Sequence, residues 1–257
     1  MGLSAFLIAT DEEHRISKAL DSLQWADELI VVDGGSRDRT QEICKGKGAK
    51  VYQRMFDNFE QQKNYALSLV NHEWALSIDA DEVVTPSLAE EIKHIINQDQ
   101  QHAGYLIKRR NRFLGKCLRF GRQGSEYILR LFRKRGAKFS GLVHETVQVD
   151  GSVGHLKNFI DHFGTENLDK YNEKLKLYIE LEITKIISLG NFPSLFKSIF
   201  FPPTKWVLDY LLFGGFLDGQ SGFLYHTLSC YYGWTKNFRA REYMKNINKI
   251  KKGLKIY

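Results

Sequence analysis

Apolar residues in the first hundred positions alternate between short continuous runs and helical spacing. Leu3–Ala9 and Glu28–Asp33 are continuous runs of strand length, typical of strands that are covered on both faces. Further short runs at 50–53, 74–78 and 104–108 also predict strands. Between the runs, helices are predicted at 16–23, 38–46, 58–70 and 85–97, where Asp38 is a candidate cap for the second helix.

This alternation of strand and helix predicts an α/β fold with a mostly parallel, twisted sheet and helices on both faces. Ligands of such folds bind beyond the carboxyl ends of the strands. Thr10, Asp33 and the triplet Asp79-Ala80-Asp81 each follow a predicted strand. The sequence therefore predicts one rim on which these three polar clusters meet.

The pattern changes after residue 165. A long amphipathic helix is predicted at 167–189, and an aromatic stretch with interspersed lysines follows. These features divide the chain into a domain at 1–165 and a helical appendage at 166–257. No apolar run approaches the roughly 20 residues of a spanning helix, because charges and Pro202-Pro203 interrupt the best candidate, at 192–223.

The composition of the chain excludes few classes of ligand or site. The 257 residues have a net charge of +7, which suits a nucleotide, an acidic lipid surface or nucleic acid but also a merely basic surface. The three cysteines have no CxxC spacing, so a zinc site or disulfide framework is not indicated. Reduced thiols and an N-terminal run that resembles a strand rather than a secretory leader favour a cytoplasmic protein.

The triplet Asp79-Ala80-Asp81 is the leading candidate for chemistry. Two carboxylates one residue apart can share a divalent cation, and that cation can bridge a diphosphate. An acidic turn ahead of a helix explains the same residues equally well. Asp33-Gly34-Gly35 is similarly open, since its carboxylate could bind a ribose or base, or the segment could be a plain turn. It is neither a GxGxxG fingerprint nor a P-loop.

The order and spacing of LIATDEEHRI, VVDGGSRDRT, QQKNYAL and SIDADEVVTP resemble the family 2 glycosyltransferases, inverting enzymes with the GT-A fold. Later segments, including RRNRFLGKCLRFG, YILRLFRK, GLVHETV, IDHFG and GFLDGQSGF, resemble a subgroup of lipopolysaccharide-core β-1,4-glucosyltransferases. The resemblance extends over nearly the whole chain. One departure is Asp33-Gly34, where many members have paired aspartates.

The resemblance implies roles for individual residues. It assigns these positions to the nucleotide: Thr10, Glu12, Asp33, Lys63 and Asp79. Asp33 would contact uridine, Lys63 would lie near the base, and Asp79 would approach the ribose or the metal. Asp81 would be the principal ligand of Mg²⁺ or Mn²⁺. His162 would complete the metal shell, as a late histidine does in some GT-A enzymes, although a core histidine is the alternative.

The general base is assigned through the same resemblance. An inverting transfer needs a carboxylate that takes the proton of the acceptor hydroxyl. Glu145, in the segment LVHET, stands where the family has its catalytic acid; without that context it would be an ordinary surface glutamate. His144 beside it would either position the acceptor or lie in the core.

A dense arginine region follows residue 108. Guanidinium forks suit the oxygens of a diphosphate or of a phosphorylated lipid, and Arg110 is assigned to the donor. A solvated basic face would have the same composition. A nucleic-acid surface is not expected, because no aromatic platform for stacked bases is evident.

Together these features predict transfer of a hexose, most simply glucose from UDP-glucose, to a lipid-linked saccharide. Polyprenyl phosphate and a capsular glycan are alternative acceptors, and a catalytically silent sugar-nucleotide or lipid-binding module is the alternative from another class. A nucleotidyltransferase is disfavoured because its glycine-rich N-terminal loop is absent.

The aromatic and basic C-terminal stretch predicts peripheral contact with the inner face of the cytoplasmic membrane, or else an ordinary core-facing helix. The oligomeric state is left open.

Overall fold

In the computed structural model, which describes residues 2–98, 101–141, 146–165 and 168–253, the predicted apolar runs form strands. The strands are β1 (Leu3–Ala9), β2 (Glu28–Asp33), β3 (Lys50–Gln53), β4 (Trp74–Ser77), β5 (Glu82–Val84), β6 (Gly104–Phe113), β7 (Lys116–Cys117), β8 (Tyr127–Arg133), β9 (Lys138–Ser140), β10 (Thr146–Gln148) and β11 (Val153–Thr165). The helices are α1 (Ile16–Asp21), α2 (Thr40–Gly46), α3 (Phe59–Leu69), α4 (Pro86–Gln98), α5 (Leu168–Leu189), α6 (Leu195–Trp206) and α7 (Gly219–Gly253).

The main sheet has the order β3-β2-β1-β4-β8-β6-β11-β5, with β7 paired to β6. Strands β3, β2, β1 and β4 are parallel, as the βα alternation predicts. Strand β8 is antiparallel to β4 and to β6, and β11 is antiparallel to β5. The α/β class is confirmed, but the sheet is mixed rather than mostly parallel. Of its antiparallel half, the sequence predicts only the strand at 104–108, which lies within β6.

Burial on both faces explains the continuous apolar runs. Along β1, Leu3 and Leu7 pack in the larger core cluster with residues of α1 and α4. Phe6 points to the opposite face, where its ring makes edge contacts with Phe132 and Phe139. Because neither face meets water, no polar alternation is needed within the strand.

The chain divides into two compact units. The first comprises Met1–Asn111 and Ser125–Gly164, and the second comprises Arg112–Gly124 and Thr165–Tyr257. In the second unit α5 matches the long helix predicted from the sequence, and it packs on α7 through Leu175, Ile179, Ile183 and Ala240. Among the described residues, no helix combines the length and the apolar character that crossing a membrane requires.

The late segment GFLDGQSGF has a structural role within the second unit. The carboxylate of Asp218 accepts hydrogen bonds from the backbone N–H groups of Arg119 and Phe120 at 3.0 and 3.1 Å. Gly222 lies so close to the chain that an added Cβ would be 2.2 Å from the carbonyl oxygen of Gly215. The motif therefore holds the loop 118–124 and has no room for larger side chains.

Candidate active site

The carboxyl ends of β1, β2 and β4 meet at one edge of the sheet, as predicted. The parallel register pairs Ala9 with Asp33, and it places the end of β4 on the other side of β1. Thr10 follows β1 and is exposed at this edge. A Cβ atom added to Gly34 would lie 2.1 Å from Oγ1 of Thr10, so the close approach of the two strand ends requires glycine.

The loops after β1 and β2 hold each other through their acidic residues. Asp11 adopts the left-handed conformation at φ 54°, and its Oδ1 atom accepts a hydrogen bond from the Arg37 backbone at 2.7 Å. Glu12 donates its backbone N–H to Oγ1 of Thr40, and its carboxylate lies 3.3 Å from Nε of Arg15. This part of the rim is therefore shaped before any ligand binds.

Asp33 is fully buried, and its carboxylate organises the glycine turn from within. It accepts hydrogen bonds from the backbone of Gly35 and Ser36, each at 3.0 Å, and from Nε2 of Gln41 at 2.9 Å. The Ser36 hydroxyl donates to the second oxygen at 2.5 Å. The expected contact of Asp33 with uridine would have to share these oxygens with the turn.

Asp79 is held by two cations. Nζ of Lys63, a side chain only 2% exposed, donates to Oδ1 at 2.8 Å, and a guanidinium nitrogen of Arg130 donates to Oδ2. Burial acts to raise the pKa of Asp79, but the charges of Arg130 and Lys63 outweigh it and hold the pKa well below its usual range. Asp79 is thus a fixed carboxylate whose oxygens are already paired.

Glu82 closes the acidic turn beneath Asp79. Its carboxylate is buried, accepts a hydrogen bond from the backbone of Asp79 at 3.0 Å and receives Arg130 at 2.8 Å. The backbone N–H of Glu82 donates in return to the Asp79 carbonyl at 2.9 Å. Arg130 therefore binds both ends of the turn that presents Asp81.

Asp81 points to another part of the rim. Its Oδ1 atom lies 3.6 Å from Nε2 of His162, and its Oδ2 atom lies 3.5 Å from Arg15. The register of β11 with β5 places His162 opposite Glu82, next to the acidic turn. The fold therefore brings together Asp81 and His162, the two residues for which the family resemblance implies a role in metal binding.

His162 is held from its other nitrogen. Nδ1 lies 2.8 Å from Oδ1 of Asn111, and Nδ2 of Asn111 donates to Glu126 at 3.2 Å. Arg109 donates to the same carboxylate of Glu126 at 2.7 Å. Asn111, Glu126 and Arg109 thus form a polar layer directly behind the imidazole.

Arg110 is engaged within the fold. Its guanidinium forms a two-pronged ion pair with Asp161 at 2.5 and 2.6 Å and stacks over Phe159, 3.7 Å from the ring centroid. A donor phosphate at Arg110 would compete with Asp161 for the same fork.

Glu145 and His144 lie in the segment 142–145, outside the described residues. This segment belongs to the connection between β9 and β10, which pair in an antiparallel ribbon. Asn64 of α3 binds the backbone of Phe139 in β9 through two hydrogen bonds of 2.9 Å, and Glu60 accepts from Gly141 at 3.0 Å. Helix α3 thus fixes β9 up to Gly141 and also supplies Lys63 to Asp79.

Sequence reasoning did not single out Arg130, Glu82 and Asn64. Arg130 was one arginine of a basic region, and Asp79, its partner, is 51 residues away in the chain. Asn64 follows Lys63 in the QQKNYAL motif, so that motif was the signal for both residues. The role of Lys63, which binds Asp79, and the role of Asn64, which binds β9, become distinct only once the position of β9 is known.

Comparisons with known proteins agree with this architecture. A family model described as "Glycosyl transferase family 2" matches residues 4–152. The lipopolysaccharide core biosynthesis glycosyltransferase LpsC of Rhizobium meliloti is 28% identical over 230 residues, covering 86% of this chain and 85% of LpsC. An uncharacterised glycosyltransferase of Rickettsia felis is 30% identical over 242 residues, covering 85% of this chain and 84% of the relative.

Among solved structures, TarS 1–349 of S. aureus superposes with a TM-score of 0.50 at 15% identity, over 93% of this chain and 89% of that chain. At this identity the similarity bears on the fold alone, and it confirms the GT-A fold that the sequence motifs imply.

Proposed function

Because the chain belongs to glycosyl transferase family 2, we propose that this glycosyltransferase moves a hexose, glucose in the first instance, from a UDP-sugar to a lipid-linked saccharide. The proposed acceptor is the inner core of lipopolysaccharide, since the relative LpsC is named for lipopolysaccharide core biosynthesis. The observation that carries the donor site is the pairing of Asp81 with His162 at the rim formed by β1, β2 and β4.

The nucleotide would occupy the rim beside Thr10 and the turn after β2. Thr10 is exposed there, and Gly34 brings two strand ends together so that backbone groups line the site. Asp79, fixed by Lys63 and Arg130, is the carboxylate that would accept hydrogen bonds from the ribose. Its cations neutralise it, which lowers the repulsion of a nearby diphosphate.

Asp81 and His162 fit a Mg²⁺ or Mn²⁺ ion as a partial site. The described residues contain no group of three His, Cys, Asp or Glu side chains that would hold an ion alone. Magnesium bound with nucleotides commonly takes one or two protein ligands and completes its shell with phosphates and water. When bound, the ion would supply positive charge to the departing UDP.

Glu145 is the proposed general base, and this assignment rests on the sequence motif. The carboxylate would take the proton of the acceptor hydroxyl while that oxygen attacks the anomeric carbon. Inversion follows from a single displacement, in which the UDP leaves from the face opposite the attacking oxygen.

The reaction would take place at the inner face of the cytoplasmic membrane, where the second unit provides an apolar surface. Phe196 and Leu212 are each 72% exposed, and the other large exposed apolar residues between 195 and 217 are Leu195, Ile199, Phe200, Phe201, Val207, Leu211, Phe213, Phe216 and Leu217. Trp206 is half-buried and packs against Tyr210, with the two ring centroids 4.8 Å apart, so it is not one of these exposed residues.

The charge of this surface suits anionic lipids. Lys197 is exposed, whereas the one acid between 192 and 217, Asp209, is 3% exposed and is paired with Arg122 at 2.5 Å. Exposed apolar side chains on a helix with a lysine among them are typical of contact with a membrane surface. We therefore place peripheral membrane contact at α6 and the turns that follow it.

The test is UDP release with Mn²⁺, measured for UDP-glucose, UDP-galactose and UDP-N-acetylglucosamine against three acceptors. We expect turnover with UDP-glucose and a heptosylated lipid, and no turnover with polyprenyl phosphate or a capsular glycan. Asp81→Asn should abolish release, and Asp21→Asn, which changes an exposed acid on α1, should not. Failure of every UDP-sugar to bind would overturn the donor site, whereas turnover with another acceptor would overturn only the acceptor.

A further inference from the structure

Asn111 lies between His162 and Glu126, and its side-chain amide has two ends that act differently. The NH₂ group can only donate hydrogen bonds, and the carbonyl oxygen can only accept them. Nδ2 of Asn111 donates to the carboxylate of Glu126 at 3.2 Å. Because a carboxylate accepts hydrogen bonds, Glu126 fixes which end of the amide faces it.

The other end of the amide therefore faces the imidazole as an acceptor. Oδ1 of Asn111 lies 2.8 Å from Nδ1 of His162, which is a hydrogen-bonding distance. An oxygen in this position requires a proton on Nδ1. In a neutral imidazole the second nitrogen, Nε2, then carries a lone pair.

That lone pair is directed toward an anion. Nε2 of His162 lies 3.6 Å from Oδ1 of Asp81, so two electron-pair donors face each other across the rim. Such a pair is repulsive unless a proton or a metal cation lies between its members. When the imidazole is neutral, a divalent metal is the cation that both atoms could bind as ligands. In metal sites the ligating histidine commonly donates its other N–H to a neighbouring acceptor, and this bond selects the tautomer.

We propose that Asn111 and Glu126 are positioning residues that hold His162 in the Nδ1–H tautomer, so that Nε2 is free to bind a metal together with Asp81. Neither residue is one of the proposed metal ligands. The proposal rests on the metal site of the proposed function, but the tautomer exists in the metal-free protein and can be measured there.

Glu126 is itself kept in place by Arg109. Nε and a terminal nitrogen of Arg109 donate to the same Glu126 oxygen at 3.1 and 2.7 Å, and the Asn111 side chain is buried beside them. Arg109 also lies 3.8 Å from Glu82, which receives Arg130 under the acidic turn. The histidine is thus oriented by the same polar layer that supports the turn of Asp81.

The first experiment is a long-range ¹H–¹⁵N spectrum of the metal-free, full-length protein with labelled histidines, at alkaline pH where imidazoles are neutral. His162→Gln identifies the His162 signals by their loss. We expect the pattern of an Nδ1–H imidazole in the wild-type protein. An Nε2–H pattern would overturn the proposal without any variant of Asn111.

The second experiment uses variants. Asn111→Leu removes the acceptor and should shift His162 toward the Nε2–H tautomer. The double variant Asn111→Asp/Glu126→Gln keeps an acceptor opposite Nδ1 and a donor–acceptor contact between positions 111 and 126, so it should retain Nδ1–H. Asn158→Leu is the matched control, because Asn158 lies on the same strand as His162 and donates to Glu91 at 2.8 Å without a histidine partner. An unchanged His162 spectrum in folded Asn111→Leu would contradict the role of Asn111.

Mn²⁺ affinity, measured by electron paramagnetic resonance, tests the consequence. We expect Asn111→Leu to weaken binding about 10- to 100-fold, with the double variant Asn111→Asp/Glu126→Gln and the control Asn158→Leu close to wild type. An Nδ1–H tautomer in a protein that binds no Mn²⁺, even with UDP, would refute the metal site of the proposed function while supporting the positioning of His162. A Leu variant with full Mn²⁺ affinity would overturn the link between tautomer and metal.

Discussion

Nζ of Lys63 donates a hydrogen bond to Oδ1 of Asp79 over 2.8 Å, and this contact separates the roles of the two aspartates in the triplet. Arg130 binds the second oxygen of Asp79, so that carboxylate is surrounded by protein cations. Asp81, two residues later, faces His162 instead. The triplet therefore divides into a carboxylate held by two protein cations and a candidate metal ligand.

Arg130 should be important for stability because its partners are buried. Arg130→Met would leave Glu82, which is 0% exposed, without its nearest cation. Removing one partner of a buried ion pair costs roughly 3–5 kcal/mol, and we expect a loss of this order in the free energy of unfolding in urea. Arg133→Met on the same strand is the control; its partner Glu73 is exposed, and the loss should be about 1 kcal/mol. Equal losses for both variants would argue against a special role of Arg130.

Glu145→Gln should separate binding from chemistry. The amide keeps the size of the side chain but cannot take a proton, so turnover should fall about 10²- to 10⁴-fold. The affinity for UDP-glucose should remain that of the wild type, as measured by calorimetry. Glu73→Gln, a change at an exposed glutamate of the first unit, should leave turnover unaltered. Wild-type turnover in Glu145→Gln would show that another group is the base.

The apolar surface of the second unit predicts binding to vesicles that contain anionic lipids. Replacing Phe196, Phe200 and Leu212 by serine should weaken binding by about tenfold for each side chain that enters the bilayer, as measured by flotation. The control pair is Leu177→Ser and Leu189→Ser, since both residues are exposed on α5. High salt should weaken wild-type binding through Lys197. A wild-type protein that never floats would refute the membrane contact.

Glu28 predicts a loss of stability in acid. Burial acts to raise its pKa, but hydrogen bonds from Lys50, Ser4 and Asn71 outweigh burial and lower the pKa to about 2. The unfolded chain has the ordinary value of 4.5. Because the folded pKa is the lower one, the contribution of Glu28 is present above the unfolded pKa and is lost as the pH falls toward the folded one. Its size is about 3 kcal/mol at neutral pH.

The measurement compares urea unfolding of the wild type and Glu28→Gln at about pH 7 and about pH 3. We expect the variant to be less stable at neutral pH and to lose less stability on acidification. Glu90→Gln, which changes an exposed glutamate on α4, should follow the wild type at both pH values. An identical pH dependence for Glu28→Gln and the wild type would contradict the assignment.

The antiparallel half of the sheet was harder to recognise in the sequence than the parallel half. Strand β8 contains Arg130, which is buried only because it meets Asp79 and Glu82, and β11 contains Asp161, which pairs with Arg110. Buried ion pairs of this kind break the apolar pattern that identifies a covered strand. The arginines consequently resembled a basic region.

The sequence by itself determined the parallel strands, the helices between them and the rim on which Thr10, Asp33 and Asp79 meet. These features follow from local periodicity and from the rule that parallel strands end at one edge. The tertiary structure decided which charged atoms meet: Arg130 with Asp79, Asp81 with His162, and His162 with Asn111. Those contacts depend on sheet order and register, which bring together residues far apart in the chain, and no local pattern encodes that pairing.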